Sequence, residues 1–216
     1  MKKVGMCLAR LDGSILGGEN YVVINGVTYD LVRRGETKQE KAGEVKLEDV
    51  PVGETFKLGQ HEMIVLKQKG GIAVVVRKDL LSEESEFGET NNYDGSRVDE
   101  ICNRWAEEIA DVVGAENMVK LTVNLTSDDG LKDYGAVDRR AALLTAEQYR
   151  KYIDILDEHN PGKWWWLATP YSTERHGNKS WVKCVASSGF IFSGSCSGGG
   201  GVRPFCILKS NIFVSK

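Results

Sequence analysis

The sequence predicts an α+β protein, and three observations lead to that fold class. A β-hairpin pattern lies near the start, at residues 21–32. An antiparallel meander of β-branched runs follows at residues 54–77, and further strand-like runs continue to the C-terminus. Two segments, at residues 97–113 and 146–158, carry the three- and four-residue apolar spacing of amphipathic helices.

Composition limits the classes of function. The 216 residues are 41% hydrophobic and 27% charged, which is typical of a soluble globular protein. A net charge of −3 without a cluster of basic residues argues against nucleic-acid binding. The N-terminal residues 1–10 contain no long apolar run, so we expect synthesis in the cytoplasm without a signal peptide. No run approaches the roughly 18 apolar residues that span a bilayer, so membrane insertion is not expected.

The hairpin defines a small N-terminal element. Tyr21–Ile24 and Val27–Val32 flank Asn25-Gly26, a pair that accepts the positive φ angles of a type I′ turn. Two strands alone are marginally stable, so the hairpin is expected to dock on the main domain, on another copy or on a partner. A polar segment follows it. We therefore predict a hairpin and linker at 1–44 and a main domain at 45–216.

Local capping signals define both helices. Ser96 is the predicted N-cap of the first helix, with Asp99 completing a pair that resembles a capping box, and Gly114 ends it. Thr145 caps the second helix with Gln148 at the third position, and the segment 159–162 stops it. In the meander, His61 is interpreted as a surface histidine at the start of a strand.

The spacing of the cysteines and aspartates indicates whether the chain could bind a metal ion. The five cysteines are an odd number without C-x-x-C spacing, so we expect buried structural thiols and neither a disulfide framework nor a zinc site. The loop 126–135 holds Asp128, Asp129 and Asp133, which is compatible with calcium. It lacks the EF-hand spacing and is equally typical of an ordinary loop, so calcium stays open, and we predict no cofactor and no metal site.

The last fifty residues contrast rigid anchors with a permissive tract. The anchors are the aromatic run 164–170 and the Arg-Pro closure 201–208, and small residues fill 187–200 between them. A ten-residue polar loop at 171–180 separates two of the predicted strands. The glycine-rich tract 187–200 lacks the P-loop pattern that binds phosphate. It is also followed by a strand and not by a helix whose N-terminus could hold an anion, so phosphate binding is disfavoured. An alternative interpretation is a glycine-rich turn that closes the sheet without binding any ligand.

These anchors resemble the C-type lectin-like fold, in the branch that includes formylglycine-generating enzymes and the variable proteins of diversity-generating retroelements. The resemblance rests on Trp164–Pro170, on Ser188-Gly189 before a strand, and on Gly201–Phe205, and it covers roughly residue 45 to the C-terminus. Uncharacterised domains of gut bacteria and their phages share this W-W-L and G-V-R-P pattern. The resemblance implies two helices, a mostly antiparallel sheet and a ligand surface on the C-terminal strands and loops.

The resemblance further implies a non-enzymatic binding protein, phage- or prophage-encoded, that displays a surface open to retroelement diversification. The candidate ligand-binding residues are Arg175, His176, Asn178, Lys179, Ser187, Phe190, Phe192, Ser193, Ser195 and Ser197. Serines with a few aromatics also build antibody paratopes. The expected partner is a protein or glycan receptor, and the expected location includes a phage virion.

Arg203 is expected to brace the closing strand through hydrogen bonds to carbonyls or to a carboxylate.

Two other functions remain open. A cysteine oxidase of the formylglycine-generating type requires a reactive cysteine pair, and Cys196 and Cys206 do not match that family's spacing. A structural component of a phage particle is the second alternative, with the N-terminal hairpin as its docking element. Calcium-dependent sugar binding is disfavoured, because the Glu-Pro-Asn and Trp-Asn-Asp motifs of the lectin site are absent. Serine hydrolysis is disfavoured because no nucleophile motif is present.

Overall fold

The computed structural model describes two short strands at 21–24 and 27–30 and the continuous stretch 43–216. Residue contacts divide the chain into two compact units, 1–41 and 42–216. In the first unit, β1 (Tyr21–Ile24) pairs antiparallel with β2 (Val27–Asp30), and Ile24 lies opposite Val27. The predicted hairpin is thus confirmed. Its Asn25-Gly26 turn, Cys7 and the predicted linker up to residue 42 lie outside the described residues.

The second unit combines helices with mostly antiparallel sheets, as the α+β prediction requires. Its strands are β3 (Glu44–Lys46), β4 (Thr55–Leu58), β5 (His61–Lys69), β6 (Ile72–Arg77), β7 (Ser82–Ser85), β8 (Met118–Val119), β9 (Leu121–Asn124), β10 (Ala136–Arg139), β11 (Ala141–Leu143), β12 (Trp165–Pro170), β13 (Trp181–Val185), β14 (Ile191–Ser195), β15 (Gly200–Val202), β16 (Pro204–Lys209) and β17 (Phe213–Ser215). Its α-helices are α1 (Arg97–Val113), α2 (Ala146–Lys151) and α3 (Ile153–Glu158), with 3-10 turns at Leu47–Asp49, Ala115–Asn117 and Glu174–His176. No described helix has the length and apolar character that crossing a membrane requires.

Two larger sheets organise this unit. One runs in the order β11-β16-β6-β5-β4-β17-β3, with β8 also pairing with β16, and contains the predicted meander β4-β5-β6. The other runs β14-β13-β12-β15-β7 and carries most of the candidate site. Its β12–β15 pair is parallel, whereas its other pairs are antiparallel. Strands β9 and β10 form a separate antiparallel pair.

Helix α1 begins and ends where the sequence predicts. The Ser96 hydroxyl accepts a hydrogen bond from the Asp99 amide at 3.2 Å, and Gly114 ends the helix with a positive φ of 85°. The Asp99 carboxylate accepts from the Gly95 amide and binds the Arg139 guanidinium, which raises the pKa of Arg139. The cap is therefore tied to β10 as well as to its own helix.

The second predicted helix is divided in two. The capping box is confirmed, because the Thr145 and Gln148 side chains bond to each other's backbone amides. A single helix up to residue 158 was the wrong prediction, since α2 ends and α3 begins at Tyr152, which has φ −112° and ψ 19°. The Tyr152 amide donates to the carbonyls of both Gln148 and Tyr149, which tightens the chain into a turn at that point.

Arg203 joins the two larger sheets. The predicted single strand 202–208 is interrupted here, because β15 belongs to the smaller sheet and β16 to the larger. The fully buried guanidinium donates from Nε to the Arg77 carbonyl at 2.9 Å and from Nη2 to the His159 carbonyl at 2.8 Å. It lies 5.3 Å from the centroid of the Trp165 ring. The bracing role predicted for Arg203 is confirmed, with carbonyls as the partners.

His61 is buried, and the prediction of a surface histidine was wrong. Only 4% of the residue is exposed, its Nδ1 lies 2.6 Å from the Arg77 guanidinium, and its ring packs edge-on against Trp105. Burial and the positive charge of Arg77 lower the pKa of His61, which favours the neutral ring that can accept from Arg77. Arg77 comes from β6, so no residue near His61 in sequence indicated this pair.

Candidate functional site

The β13–β14 hairpin separates the candidate residues onto two faces. Lys183 lies opposite Ser193 and Trp181 opposite Ser195, so these four side chains share one face. Phe192 and Gly194 lie on the other face, where the Phe192 ring packs 5.9 Å from the centroid of Trp164. The two faces carry different chemistry: serine, lysine and tryptophan on one, and an aromatic cluster on the other.

The polar loop (residues 171–180) is held against the aspartate loop (residues 126–135). Asp129 accepts hydrogen bonds from the Ser172 hydroxyl at 2.6 Å and pairs with His176 Nδ1 at 2.9 Å. Asp133 accepts from the Thr173 hydroxyl and from the Arg175 guanidinium. Hydrogen bonds from Ser127, Ser172 and His176 hold the pKa of Asp129 well below its usual range. The aspartates therefore position two candidate ligand residues, Arg175 and His176.

A buried amide fixes the same loop from behind. Asn91 is fully buried, and its Nδ2 donates to the carbonyls of Ser172 at 2.9 Å and of Trp181 at 3.0 Å. Its Oδ1 accepts from the Tyr134 hydroxyl at 2.7 Å, and its backbone amide donates to the Lys179 carbonyl. Asn91 thus ties both ends of the polar loop and the aspartate loop to one point. The sequence offered no signal for this role, because Asn91 stands in a segment that has the composition of a turn.

Cationic side chains already pair with Asp128 and Asp133, and Asp129 is held by serine hydroxyls and by His176. Asp128 pairs with Lys183 at 3.1 Å and with Arg150 at 3.3 Å, while Asp129 and Asp133 have the partners given above. No three His, Cys, Asp or Glu residues in the described part of the chain are grouped so that they could hold a metal ion. The geometry therefore favours a positioning role for the loop over the calcium alternative.

Two exposed aromatic residues extend the site, and sequence reasoning missed them both. Tyr171 and Trp181 are each 46% exposed, and the Tyr171 amide donates to the Trp181 carbonyl at 2.9 Å. Lys183 lies with its Nζ 5.8 Å from the centroid of the Tyr171 ring. A signal existed, because Trp181 and Lys183 alternate with buried Val182 and Cys184, which marks them as residues of the opposite face.

A shallow cavity opens between the two loops. It has a volume of about 390 Å³ and is lined by Asp128, Asp129, Tyr171, Ser172, His176 and Asn178. Of the candidate residues, only His176 and Asn178 line it. The Asn178 side chain turns inward, since its Oδ1 accepts from the amides of Ser180 and Trp181 at 3.2 Å.

Eight candidate residues lie at the two ends of the hairpin, and Phe192 and Ser193 lie between them on opposite faces of β14. The Cys196 amide donates to the Ser180 carbonyl at 2.7 Å, which brings Ser195 and Ser197 beside the end of the polar loop. Ser187 and Phe190 lie at the other end of the five-residue strands, about 17 Å away. Phe190 is 63% exposed. One ligand patch would therefore have to span the length of the hairpin to contact all ten residues.

The glycine tract is not a simple flexible turn. Gly200 begins β15, and a Cβ there would lie 2.5 Å from the Trp164 ring and 2.6 Å from Trp166 Nε1. A Cβ on Gly201 would lie 2.5 Å from a methyl carbon of Leu80. These two glycines allow strands to pack against the tryptophan anchors. Only residues 196–199 connect β14 to β15, so the predicted permissive segment is shorter than the sequence indicated.

The four described cysteines are buried free thiols. Burial raises the pKa of Cys102 and of Cys184 to about 12, and it also raises the pKa of Cys196 and of Cys206. Cys206 lies on β16 in the larger sheet, whereas Cys196 follows β14 in the smaller one. Neither environment favours the thiolate that nucleophilic or oxidative chemistry requires.

Comparison with known proteins gives one match. No curated protein and no solved structure was found to match the chain. Residues 107–210 match the family described as Domain of unknown function (DUF6273), a span that runs from the second half of α1 through β16. This span covers just under half of the chain and includes the aspartate loop, the polar loop and the β13–β14 hairpin. The candidate site thus lies within a region similar to a family whose function is unknown.

Proposed function

We propose that residues 45–216 form a C-type lectin-like domain that acts as a non-enzymatic binding module. Its ligand surface consists of the polar loop and the β13–β14 hairpin, and its partner is a protein or glycan receptor. A phage- or prophage-encoded origin, with diversification by a retroelement, follows from the same resemblance. The closing motif around Arg203 and the tryptophan run supply the rigid scaffold.

One observation carries this proposal. All ten candidate residues are exposed or half-buried, while Cys184 on β13 and the flanking framework residues Trp166 and Arg203 are fully buried. Side chains at these positions can therefore change without disturbing the core, except at Phe192, whose ring packs on Trp164. A scaffold of this kind is what a diversified binding surface needs.

The character of the surface supports binding over catalysis. Trp181 and Phe190 on the hairpin and Tyr171 in the polar loop expose rings beside serines and a histidine, which resembles the mixture in antibody paratopes. The oxidase alternative would need a reactive thiol, and the described thiols are buried with raised pKa values. The alternative of a structural phage component gains no specific contact from the described residues.

Exposed aromatics are expected to dominate the affinity of this surface. A variant with Phe190→Ser and Trp181→Ser should bind its receptor at least about tenfold more weakly, because aromatic anchors supply most of an interface's energy. Wild type and variant are each applied to arrays of purified bacterial surface proteins and to arrays of glycans, and the binding of the two proteins is compared. Equal binding by both proteins, or no binding by the wild type on either array, would contradict the proposal.

The matched control removes equally exposed apolar side chains elsewhere. Val52 and Val112 are 51% and 50% exposed and lie outside the polar loop and the hairpin. Val52→Ser with Val112→Ser should leave binding unchanged. A thermal unfolding curve of each variant separates loss of contact from loss of fold.

A further inference from the structure

β14 is an unprotected edge of the smaller sheet. It pairs with β13 on one side, and no described strand pairs with it on the other. Natural edges are usually guarded by charged residues, proline or a bulge. The sequence from Cys184 to Val202 contains none of Asp, Glu, Lys, Arg or Pro, and the β13–β14 register is regular over all five residues.

The hydrogen-bond register shows which backbone groups face outward. Bonds from Ala186 to the Phe190 carbonyl and from Cys196 to the Ser180 carbonyl mark the bonded pairs at the two ends of the hairpin. Because bonded and non-bonded pairs alternate in an antiparallel ladder, Lys183–Ser193 is a non-bonded pair. The N–H and C=O groups of Ile191, Ser193 and Ser195 therefore point away from β13. Among the described backbone contacts, only the Ser195 carbonyl has a partner there, the Gly198 amide at 2.8 Å.

We propose that β14 pairs antiparallel with β14 of a second copy, about a two-fold axis at Ser193. The five-residue edge is its own complement, because the outward N–H of each Ser193 donates to the outward C=O of the other. On either side, Ile191 lies opposite Ser195 of the second copy, and Phe192 lies opposite Gly194. Glycine leaves room beside the aromatic ring in that pair, an arrangement that stabilises edge glycines in sheets.

Charge supports a second copy as the occupant. A two-fold axis at Ser193 places the same five residues of both copies side by side, so like charges on this strand would repel each other across the pair. The uncharged run 184–202 avoids that repulsion in a chain of which 27% is charged. Pairing consumes this edge in both copies, so the assembly closes as a dimer instead of extending through β14.

The dimer goes beyond the proposed function and does not depend on it. Pairing uses backbone groups, while the side chains of Trp181, Ser195 and Phe192 remain on the two faces of the sheet. Each face then continues from one copy into the other. A receptor-binding surface on these faces would include residues of both copies.

The test compares two substitutions of Ser193 by sedimentation equilibrium. Ser193→Pro removes an amide that points away from β13, so the hairpin keeps its ladder while the two central inter-copy bonds are lost. Ser193→Ala keeps that amide and is the matched control. The wild type and Ser193→Ala should form dimers with similar dissociation constants, and Ser193→Pro should weaken the dimer at least about 30-fold.

Two results would overturn the proposal: a wild type that remains monomeric at high micromolar concentration, or a Ser193→Pro dimer as tight as the wild type's. The second result would place the interface elsewhere, for example on the N-terminal hairpin. If Ser193→Pro does not fold, hydrogen exchange of the wild type decides. The amides of Ile191 and Ser193 should gain protection with rising protein concentration, while that of Gly194 stays protected throughout; no change at Ile191 and Ser193 refutes the dimer.

Discussion

Replacing Arg203 with alanine is expected to lower the free energy of unfolding by about 3–5 kcal/mol. The substitution leaves the carbonyls of Arg77 and His159 without their donors and removes the side chain that packs on Trp165. It also leaves a cavity where the chain passes from the smaller sheet into the larger. Burial lowers the pKa of Arg203 to about 10, because the guanidinium is removed from water. Urea unfolding followed by tryptophan fluorescence measures the loss.

The matched control for Arg203 is Arg175→Ala. Arg175 binds Asp133 on the surface with 62% of its side chain exposed, so its removal should cost less than about 1 kcal/mol. Arg203→Lys should lie between the two, because an ammonium group lacks the fork that reaches both carbonyls. Similar losses for Arg203→Ala and Arg175→Ala would contradict the assigned bracing role.

Replacing Asn91 with aspartate is expected to cost about 3–5 kcal/mol and to loosen the polar loop. The change preserves the shape of the side chain but places a buried carboxylate opposite the carbonyls of Ser172 and Trp181, which now receive hydrogen bonds from the amide. Arg175 and Lys179 lie in this loop and are trypsin sites. The measurement is the rate of tryptic cleavage within 171–180, together with the urea midpoint.

The neighbouring residue supplies the control for Asn91. Asn92 is half-buried, and its Oδ1 accepts from the Asp94 amide, a bond that an aspartate also makes. Asn92→Asp should therefore change stability by less than about 0.5 kcal/mol and leave cleavage of the loop unchanged. Equal effects at 91 and 92 would show that Asn91 does not hold the loop.

Local signals predicted the elements that local chemistry determines. The Ser96 and Thr145 caps, the Gly114 end and the N-terminal hairpin depend on residues within a few positions of each other. The division of the second helix at Tyr152 was missed, because the apolar spacing continues across it. The burial of His61 was missed for a different reason: its partner Arg77 is 16 residues away and reaches it only through pairing of β5 with β6.

The candidate site depends on contacts that the sequence does not encode locally. Its polar loop is positioned by aspartates 40 to 43 residues earlier and by Asn91, 81 residues before Ser172. A sequence pattern can identify an exposed polar loop, but it does not indicate which distant loop forms hydrogen bonds and ion pairs with it. The alternation of Trp181 and Lys183 with apolar residues in the sequence does indicate that both lie on the opposite face of the strand, and this pattern identifies Trp181 as a further candidate. Gly200 and Gly201 have the composition of a loop, yet they allow close packing, Gly200 on Trp164 and Gly201 on Leu80.

Sequencing the C-terminal codons of this gene across a population of its source tests the central claim most directly. The resemblance to retroelement variable proteins implies mutation at adenines, so we expect substitutions confined to adenine-bearing codons of residues 175–179 and 187–197. Trp164–Trp166 and Gly201–Pro204 should stay constant, because they form the buried scaffold. Variation spread evenly over the C-terminal region, or silent variation alone, would contradict a diversified binding surface.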